Sequence, residues 1–318
     1  MKNQLNNTIL KQFLYRMKRI RIIEEAIAAR YCEGKMRCPT HLCSGQEAVA
    51  VGTCAALEPD DFVVSTHRSH GHYLAKGGSL RELIAEIYGK ATGCSSGKGG
   101  SMHLINKKVH FMGSTSIVGG TIPVGTGIGL SMLLNGKKQI SCVFFGDGTV
   151  EEGVFYESLN FAVLKKLPVL YICENNFYSV YSPLNVRQPK GRMISEMARG
   201  FGIKSSKGDG NDVIDVYAKA KEAVRYIKKG YGPFLIEFLT YRFREHCGPN
   251  YDNDLGYRTE KEYLLWRRKD PIVVLENKMK HLIADFEIKK MEKSIEKEVF
   301  TAFEFAEQSP FPDHAEAL

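Results

Sequence analysis

Residues 140–176 read ISCVFFGDGTVEEGVFYESLNFAVLKKLPVLYICENN, and they carry the clearest evidence for the class of fold. The apolar runs 140–145 and 169–173 are typical of strands that are buried on both faces of a sheet. Between them, residues 151–165 carry apolar side chains at helical spacing. A strand, a helix and a second strand in this order predict a right-handed crossover within a parallel sheet.

Both predicted strands end in polar residues. Gly146-Asp147-Gly148 closes the first strand, and Asn175-Asn176 closes the second after the 26 residues 149–174. The carboxyl ends of parallel strands share one edge, where open α/β sheets bind their ligands. Glycines let the backbone approach a phosphate, and Asp147 and Asn176 offer the oxygen ligands that Mg²⁺ prefers. The spacing therefore predicts a Mg²⁺-diphosphate site, against the alternative of an ordinary strand-turn-helix with acidic turn residues.

The helix after Gly148 is expected to start near Val150 and to present its amino end to an anion. Thr149 followed by Glu152 predicts a capping box there. A second Gly-Asp-Gly, residues 208–210, lacks a following Asn-Asn, so we expect a loop that leads into a helix near Asn211.

The remaining pattern predicts an α/β fold with a parallel sheet flanked by helices and with helical extensions at both termini. We expect a single domain over residues 1–318, with a core at about 40–245 and a helical tail at about 258–318. Residues 112–136 contain no charged side chain but several glycines and Pro123. A buried glycine-rich loop that runs into a close-packed helix is a better interpretation of this segment than a membrane span. Further elements are predicted as helices at 8–35, 46–57, 79–90 and 212–229, and strands at 63–64 and 234–239.

Composition excludes few classes of protein. The formal charge is +8, but Lys and Arg are spread along the chain, so a nucleic-acid partner is not expected. The eight cysteines form no C-x-x-C pair, and a chain of this size needs no disulfides, which indicates a reducing, cytoplasmic location. Residues 9–23 have the spacing of an amphipathic helix rather than of a signal peptide. A membrane anchor or a transit peptide remains an alternative for this basic segment.

Several collinear motifs extend the pattern around Gly-Asp-Gly and Asn-Asn. The chain resembles the α subunits of the first component of pyruvate, acetoin and branched-chain 2-oxo acid dehydrogenases, which bind thiamine diphosphate. The resemblance runs from about residue 12 to the end. The segments that carry it are THLCSGQEAVAVG (40–52), STHRSHGH (65–72), ATGCSSGKGGSMH (91–103), SIVGGTIPVGTG (116–127), ICENNFYS (172–179), YRTEKEYLLWRRKDPI (257–272) and FAEQSPFPD (305–313).

The resemblance implies a set of site residues. Mg²⁺ would be held by the side chains of Asp147 and Asn176 and by the carbonyl of Tyr178. The cofactor would be bound by these three residues and by the further residues that are named at the end of this paragraph. His41 and His246 match two histidines beside the thiazolium and would handle protons or orient the 2-oxo acid, with a structural role as the alternative. The complete cofactor-binding set is His67, which stands where the family has a Tyr, Arg68, Ser116, which stands where Gly is frequent, Val118, Gly146, Asp147, Gly148, Thr149, Asn176, Tyr178 and His246.

The same resemblance implies a partner. Thiamine enzymes need a glutamate that activates the cofactor's aminopyrimidine ring, and the family supplies it from a β subunit in an assembly of two α and two β chains. The acyl group would pass to a lipoyl acyltransferase core. The loop 244–257 departs from the family's usual His-Gly-His-Ser, which leaves a stand-alone lyase or a transferase as an alternative. A scaffold protein and a nucleic-acid binder are weaker alternatives, and His70 and His72 are candidates for either the site entrance or a structural role.

Overall fold

The computed structural model describes residues 5–313 and 315. In this part of the chain the strands are β1 (Phe62–Ser65), β2 (Phe111–Ser114), β3 (Ser141–Gly146), β4 (Val169–Asn175), β5 (Tyr178–Ser179), β6 (Ser182–Pro183), β7 (Lys204–Asp209) and β8 (Phe234–Leu239). The helices are α1 (Asn7–Arg30), α2 (Glu47–Ala56), α3 (His70–Lys76), α4 (Leu80–Ile87), α5 (Thr121–Leu134), α6 (Gly153–Leu164), α7 (Leu184–Arg187), α8 (Ile194–Gly200), α9 (Val213–Lys228), α10 (Glu260–Arg267), α11 (Pro271–Met279) and α12 (Asp285–Gln308).

Six strands form one sheet in the order β2-β1-β3-β4-β8-β7, and every neighbouring pair is parallel. The predicted α/β class with a parallel sheet is therefore confirmed. In the register of the two central strands, Gly146 lies opposite Glu174, and Asn175 lies opposite Leu239 of β8. This register brings Gly-Asp-Gly and Asn-Asn side by side at the carboxyl edge of the sheet.

Each face of the sheet is covered by its own layer of apolar side chains. On one face, residues of α1, α2, α9 and α12 pack with inward-facing residues of the strands. On the other face the core includes side chains of α5, α6 and α8. Strands between two such layers are buried on both faces, which explains the continuous apolar runs in β3 and β4.

Helix α5 contains the glycines of the uncharged segment and lies directly on the sheet. A Cβ atom at Gly125 would lie 2.3 Å from a methyl carbon of Val143, and one at Gly129 would lie 2.5 Å from a methyl carbon of Val169. The prediction of a close-packed helix is confirmed. The prediction of a buried loop before this helix is wrong, because Ile117 and Val118 are exposed there, and β2 was not predicted. No helix in residues 5–313 and 315 is long and apolar enough to cross a bilayer.

Two local predictions are corrected by the structure. Residues 147–151 form a 3₁₀ turn, and α6 begins only at Gly153 with Glu152 as an N-cap that makes no side-chain cap bond. The capping box at Thr149 is therefore wrong, because the tight turn places this residue before the helix. The second Gly-Asp-Gly is also not a loop, since Gly208 and Asp209 pair with β8 as the end of edge strand β7.

Candidate active site

The carboxyl ends of five neighbouring strands meet around one cleft. The segments that follow β1, β2, β3, β4 and β8 all contribute to its wall, together with the loop before α2. The cleft has a volume of about 160 Å³. All of the site residues expected from the sequence line it, namely His41, His67, Arg68, Ser116, Val118, Gly146, Asp147, Gly148, Thr149, Asn176, Tyr178 and His246.

Asp147 and Asn176 form the oxygen-rich end of this cleft. The Asp147 side chain is 1% exposed, and its Oδ1 accepts a hydrogen bond from the Asn176 backbone N–H at 3.3 Å. The Asn176 Oδ1 accepts from the Tyr178 N–H at 3.1 Å, and its Nδ2 donates to Gln46 Oε1 at 3.4 Å. Burial raises the pKa of Asp147, against the opposing effect of the cation of Arg187. A carboxylate and an amide oxygen on adjacent strand ends are suitable ligands for a hard cation.

Arg187 is a site residue that the sequence did not reveal. Its Nη2 donates to Asp147 Oδ2, its Nη1 donates to Glu151 Oε1 at 2.6 Å, and its Nε donates to the carbonyl of Ser182 at 3.0 Å. The contact is created by the return of the chain through β5, β6 and α7, which local patterning cannot indicate. Arg187 therefore acts as the counter-ion of the candidate metal ligand in this structure.

Arg68 is a buried cation without a carboxylate partner. Its side chain donates to the carbonyl of Leu42 at 2.6 Å and to that of His246 at 2.9 Å. None of the ion pairs among residues 5–313 and 315 involves it. Burial, together with the cation of Arg242, lowers the pKa of Arg68 to about 10. A buried guanidinium in this state attracts an anion, and its planar fork suits the oxygens of a phosphate.

Three imidazoles stand close to Arg68. The ring of His41 lies 4.7 Å from that of His67 and 5.0 Å from that of His246, measured between centroids, and the latter two are 5.4 Å apart. Burial and the neighbouring cation of Arg68 lower the pKa of His41 to about 2 and those of His67 and His246 to about 3. The three rings are therefore neutral at physiological pH, and each can offer both a donor and an acceptor.

His70 and His72 are buried behind the cleft and do not line its entrance. His70 Nδ1 is 2.7 Å from Glu24 Oε1, and its Nε2 is 2.8 Å from the hydroxyl of Ser101. His72 stacks on a phenylalanine ring, and its Nε2 lies 3.2 Å from Glu174 Oε2. Of the two roles considered for these histidines, the structure supports the structural one.

The residues present fit a diphosphate and a divalent cation. Arg68 is a buried cation without a carboxylate, the ring nitrogen Nδ1 of His41 is buried without a hydrogen-bond partner, and the oxygens of Asp147 and Asn176 lie together. A Cβ atom at Gly146 would meet no neighbour within 4 Å, so the backbone there is open to the cleft. Sequence reasoning missed several further lining residues, which are Gln46, Thr66, Met102, Glu174, Ser179 and Val180. Glu174 could have been found, because it directly precedes Asn175 at a strand end.

Comparison with known proteins agrees with this geometry. Residues 15–315 match the family model described as dehydrogenase E1 component. The chain is 39% identical over 309 residues to the chloroplastic pyruvate dehydrogenase E1 component subunit alpha-3 of Arabidopsis thaliana, covering 94% of this chain and 71% of that protein. It is 39% identical over 300 residues to the pyruvate dehydrogenase E1 component subunit alpha of Rhizobium meliloti, covering 93% and 85%. For the corresponding subunit of Zymomonas mobilis the identity is 38% over 309 residues, covering 95% and 85%. The chain therefore belongs to the dehydrogenase E1 component family.

Proposed function

We propose that this chain is the α subunit of a thiamine diphosphate-dependent 2-oxo acid dehydrogenase that acts on pyruvate or a close analogue and holds its cofactor through Mg²⁺ in the cleft. The observation that carries the proposal is the pairing, in one cleft, of an unpaired buried arginine with a carboxylate and an amide on adjacent strand ends. Such a cleft supplies both the positive charge for a diphosphate and the oxygen ligands for its metal.

The proposed roles follow from position. Asp147 and Asn176 hold Mg²⁺ through their side chains and Tyr178 through its carbonyl. Arg68 binds the diphosphate. The remaining lining residues at this end, Gly146, Gly148 and Thr149, follow β3 and lie against the diphosphate, while Ser116 and Val118 follow β2 and contact the bend of the cofactor.

When bound, thiamine diphosphate supplies the nucleophilic carbon that allows a 2-oxo acid to lose CO₂. The chain's own residues bind and orient the reactants. His41 and His246 are held neutral by burial and by Arg68, so each ring can donate one proton and accept another within the cleft. His67 lies beside both rings and adds a third imidazole where the family has a tyrosine.

A second subunit is needed to complete this site. Drug-sized ligands occupy pockets of roughly 300–1,000 Å³, so a cleft of about 160 Å³ encloses only part of a cofactor. Glu174 is the one glutamate among the described residues that line the cleft, and its carboxylate already meets His72. The relatives named above are alpha subunits, so a β subunit that brings the activating glutamate, in an assembly of two α and two β chains, fits these observations.

An exposed apolar surface next to the cleft supports the place of that partner. Ile117, Val118, Val124 and Leu134 are exposed on the β2–α5 segment and on the outer face of α5. Val118 also lines the cleft, so the exposed segment before α5 adjoins the site. Uncharged exposed patches of this kind mark interaction surfaces, and a β subunit seated here would close the open side of the cofactor site.

The loop 244–257 reaches the cleft through His246, and we place the approach of the acyl acceptor at this side. It carries His246 and is fixed by Asp252, which is 1% exposed and pairs with Arg242 and Arg258. Arg242 also donates to the carbonyl of Val180 at 2.9 Å, which ties the loop to the other wall of the entrance. A lipoyl arm from an acyltransferase core is the acceptor that we propose for this entrance.

The proposal is tested on a complex purified with a candidate β subunit. We expect CO₂ release from pyruvate that needs both chains, thiamine diphosphate and Mg²⁺, followed by acylation of a lipoyl domain. Asp147→Ala should abolish the release, whereas Asp60→Ala, an exposed aspartate before β1, should leave it unchanged. A folded complex that releases no CO₂ from any 2-oxo acid would contradict the proposal.

The cellular location is also a proposal. All eight cysteines are free thiols, which supports a reducing compartment such as the cytoplasm. Cell fractionation with an antibody against the chain tests it, and recovery in a membrane or organelle fraction would overturn it.

A further inference from the structure

Three histidines from separate loops converge at the cleft. His41 precedes α2, His67 follows β1 and His246 follows β8. One ring nitrogen from each lies within 4.8 Å of those of the other two. No other group of three such potential ligand residues is this close within residues 5–313 and 315. The cluster is separate in its chemistry from the oxygen ligands Asp147 and Asn176.

The spacing is close to that of a metal centre. Three histidine nitrogens at 2.0–2.1 Å from a tetrahedral ion would be about 3.3 Å apart. Because the nitrogens already lie within 4.8 Å, small rotations of the imidazole rings are enough to bring them to an ion. A three-histidine set also leaves the fourth position open for water or an anion, as in catalytic zinc sites.

The ring nitrogens are largely free to bind. Nδ1 of His41 is buried without a hydrogen-bond partner, and the residue as a whole is only 6% exposed. Among the described residues, the ring of His67 makes no hydrogen bond to a protein group, and that of His246 meets only Arg68, at 3.4 Å. Buried polar atoms are normally satisfied, so the unpartnered Nδ1 of His41, which lies beside the rings of His67 and His246, is available to a ligand that accepts a nitrogen lone pair.

The chemistry of the cluster selects the class of ion. Imidazole suits Zn²⁺, Co²⁺, Ni²⁺ and Cu²⁺, whereas Mg²⁺ prefers oxygen. An imidazole is largely neutral near pH 7, and the neutral ring is the form that binds a metal. Arg68 opposes a dication at this place, and an anionic fourth ligand such as chloride or hydroxide between the two cations would reduce that repulsion.

We propose that His41, His67 and His246 form a transition-metal site at the active-site cleft, which binds Zn²⁺ or an ion of its class. The binding of the metal does not depend on the proposed enzymatic function. Its consequence does: an ion bound to these rings occupies residues that would serve the cofactor and the 2-oxo acid, so it inhibits decarboxylation in competition with both.

The full-length chain is titrated with Co²⁺, whose visible absorption reports tetrahedral nitrogen coordination, and Zn²⁺ affinity is measured by competition with a chromophoric chelator. We expect one strong Co²⁺ site per chain that Zn²⁺ displaces. His67→Tyr, which introduces the family's residue, and His67→Gln should each weaken Zn²⁺ binding at least tenfold, since even outer-shell changes cost about 10–100-fold. His281→Ala removes an exposed histidine outside the cleft and should bind as the parent does.

Equal Zn²⁺ affinity in the parent and both His67 variants, or a Co²⁺ spectrum of octahedral type, would overturn the site. Folding of the variants is checked by circular dichroism. Calorimetric binding of thiamine diphosphate with Mg²⁺ is measured separately on the complex with a β subunit. If the parent complex binds no thiamine diphosphate while the parent chain still gives a tetrahedral Co²⁺ spectrum, the proposed function is contradicted and the metal site is not.

Discussion

Two arginines, the partly buried Arg21 and the buried Arg68, show how differently this chain treats a charge at the edge of its core and a charge in its cleft. Arg21 in α1 pairs with Glu47 at 2.5 Å and with Asp270 at 2.9 Å, and these carboxylates raise its pKa against the effect of burial. Arg68 meets only carbonyls and a histidine ring, and its pKa is lowered to about 10. A paired charge fixes the contact between helices, whereas an unpaired one is available to an anionic ligand.

The largest expected effect concerns the paired arginine. Glu47→Gln keeps the shape of the side chain but leaves Arg21 with one carboxylate fewer in a buried setting. We expect a loss of about 3–5 kcal/mol in the free energy of unfolding, the range for breaking a buried pair, measured by urea denaturation. Glu307→Gln, at an exposed ion pair with Lys35, is the control and should change little. A loss at Glu47 no larger than at Glu307 would remove the distinction between core and surface pairs.

The second effect concerns the unpaired arginine. Arg68→Met removes a buried cation that has no carboxylate partner, so we expect a change of less than about 1 kcal/mol in the free energy of unfolding. Affinity for thiamine diphosphate with Mg²⁺ should fall at least tenfold, because each hydrogen bond to a charged group is worth about 1.5–3 kcal/mol. Calorimetry on the complex with a β subunit measures the loss. Arg68→Lys keeps the charge without the planar fork and should recover only part of the affinity. If Arg68→Met strongly lowers the free energy of unfolding but leaves the affinity for thiamine diphosphate unchanged, Arg68 serves the fold and not the ligand.

A smaller effect is expected at the counter-ion of Asp147. Arg187→Gln removes the guanidinium that competes with a cation for this carboxylate. Mn²⁺ affinity in the absence of cofactor should rise about tenfold, the equivalent of one charged hydrogen bond, as followed by electron paramagnetic resonance. Arg192→Gln, an exposed neighbour that bonds Gln188, is the matched control. Weaker Mn²⁺ binding in Arg187→Gln would show that Arg187 supports the metal instead of competing with it.

The last effect is the pH dependence that His41 adds to stability. Its pKa is about 2 in the folded chain and near 6.5 when unfolded, so between these values the unfolded state binds one more proton. The contribution of neutral His41 to the free energy of unfolding is therefore fully present above about pH 6.5. It is lost on acidification at up to about 1.4 kcal/mol per pH unit. Urea denaturation between pH 5 and pH 6.5 should show a shallower slope for His41→Gln than for the parent. Parallel slopes would mean that His41 is not held neutral by the cleft.

The sequence predicted the centre of the molecule better than its edges. Strands β3 and β4 were predictable because both faces are buried and their apolar runs are continuous. Edge strand β7 reads KSSKGD, and only Ser205 in it is buried, so the polar Gly-Asp-Gly at its end suggested a loop. The capping box at Thr149 failed because the local signal of a cap is also compatible with the 3₁₀ turn that the strand end imposes.

The residues of the candidate site also divide into those that the sequence predicts and those that it does not. Asp147 and Asn176 were expected because they lie directly after strands whose carboxyl ends meet, and Arg68, His41 and His246 were expected from the family's motifs. Arg187 could not be expected, because its approach to Asp147 depends on the path of 40 residues between them. The pairing of His70 with Glu24 was hidden for the same reason, since 46 residues separate the two.

The most direct test of the account is the binding of thiamine diphosphate to the purified complex with a β subunit, measured by calorimetry with and without Mg²⁺, for the parent chain and for Asp147→Ala. We expect one cofactor site per α chain that needs Mg²⁺ in the parent and is lost in the variant, with unchanged subunit assembly. Binding of equal strength in Asp147→Ala, or no binding in a correctly assembled parent complex, would contradict it.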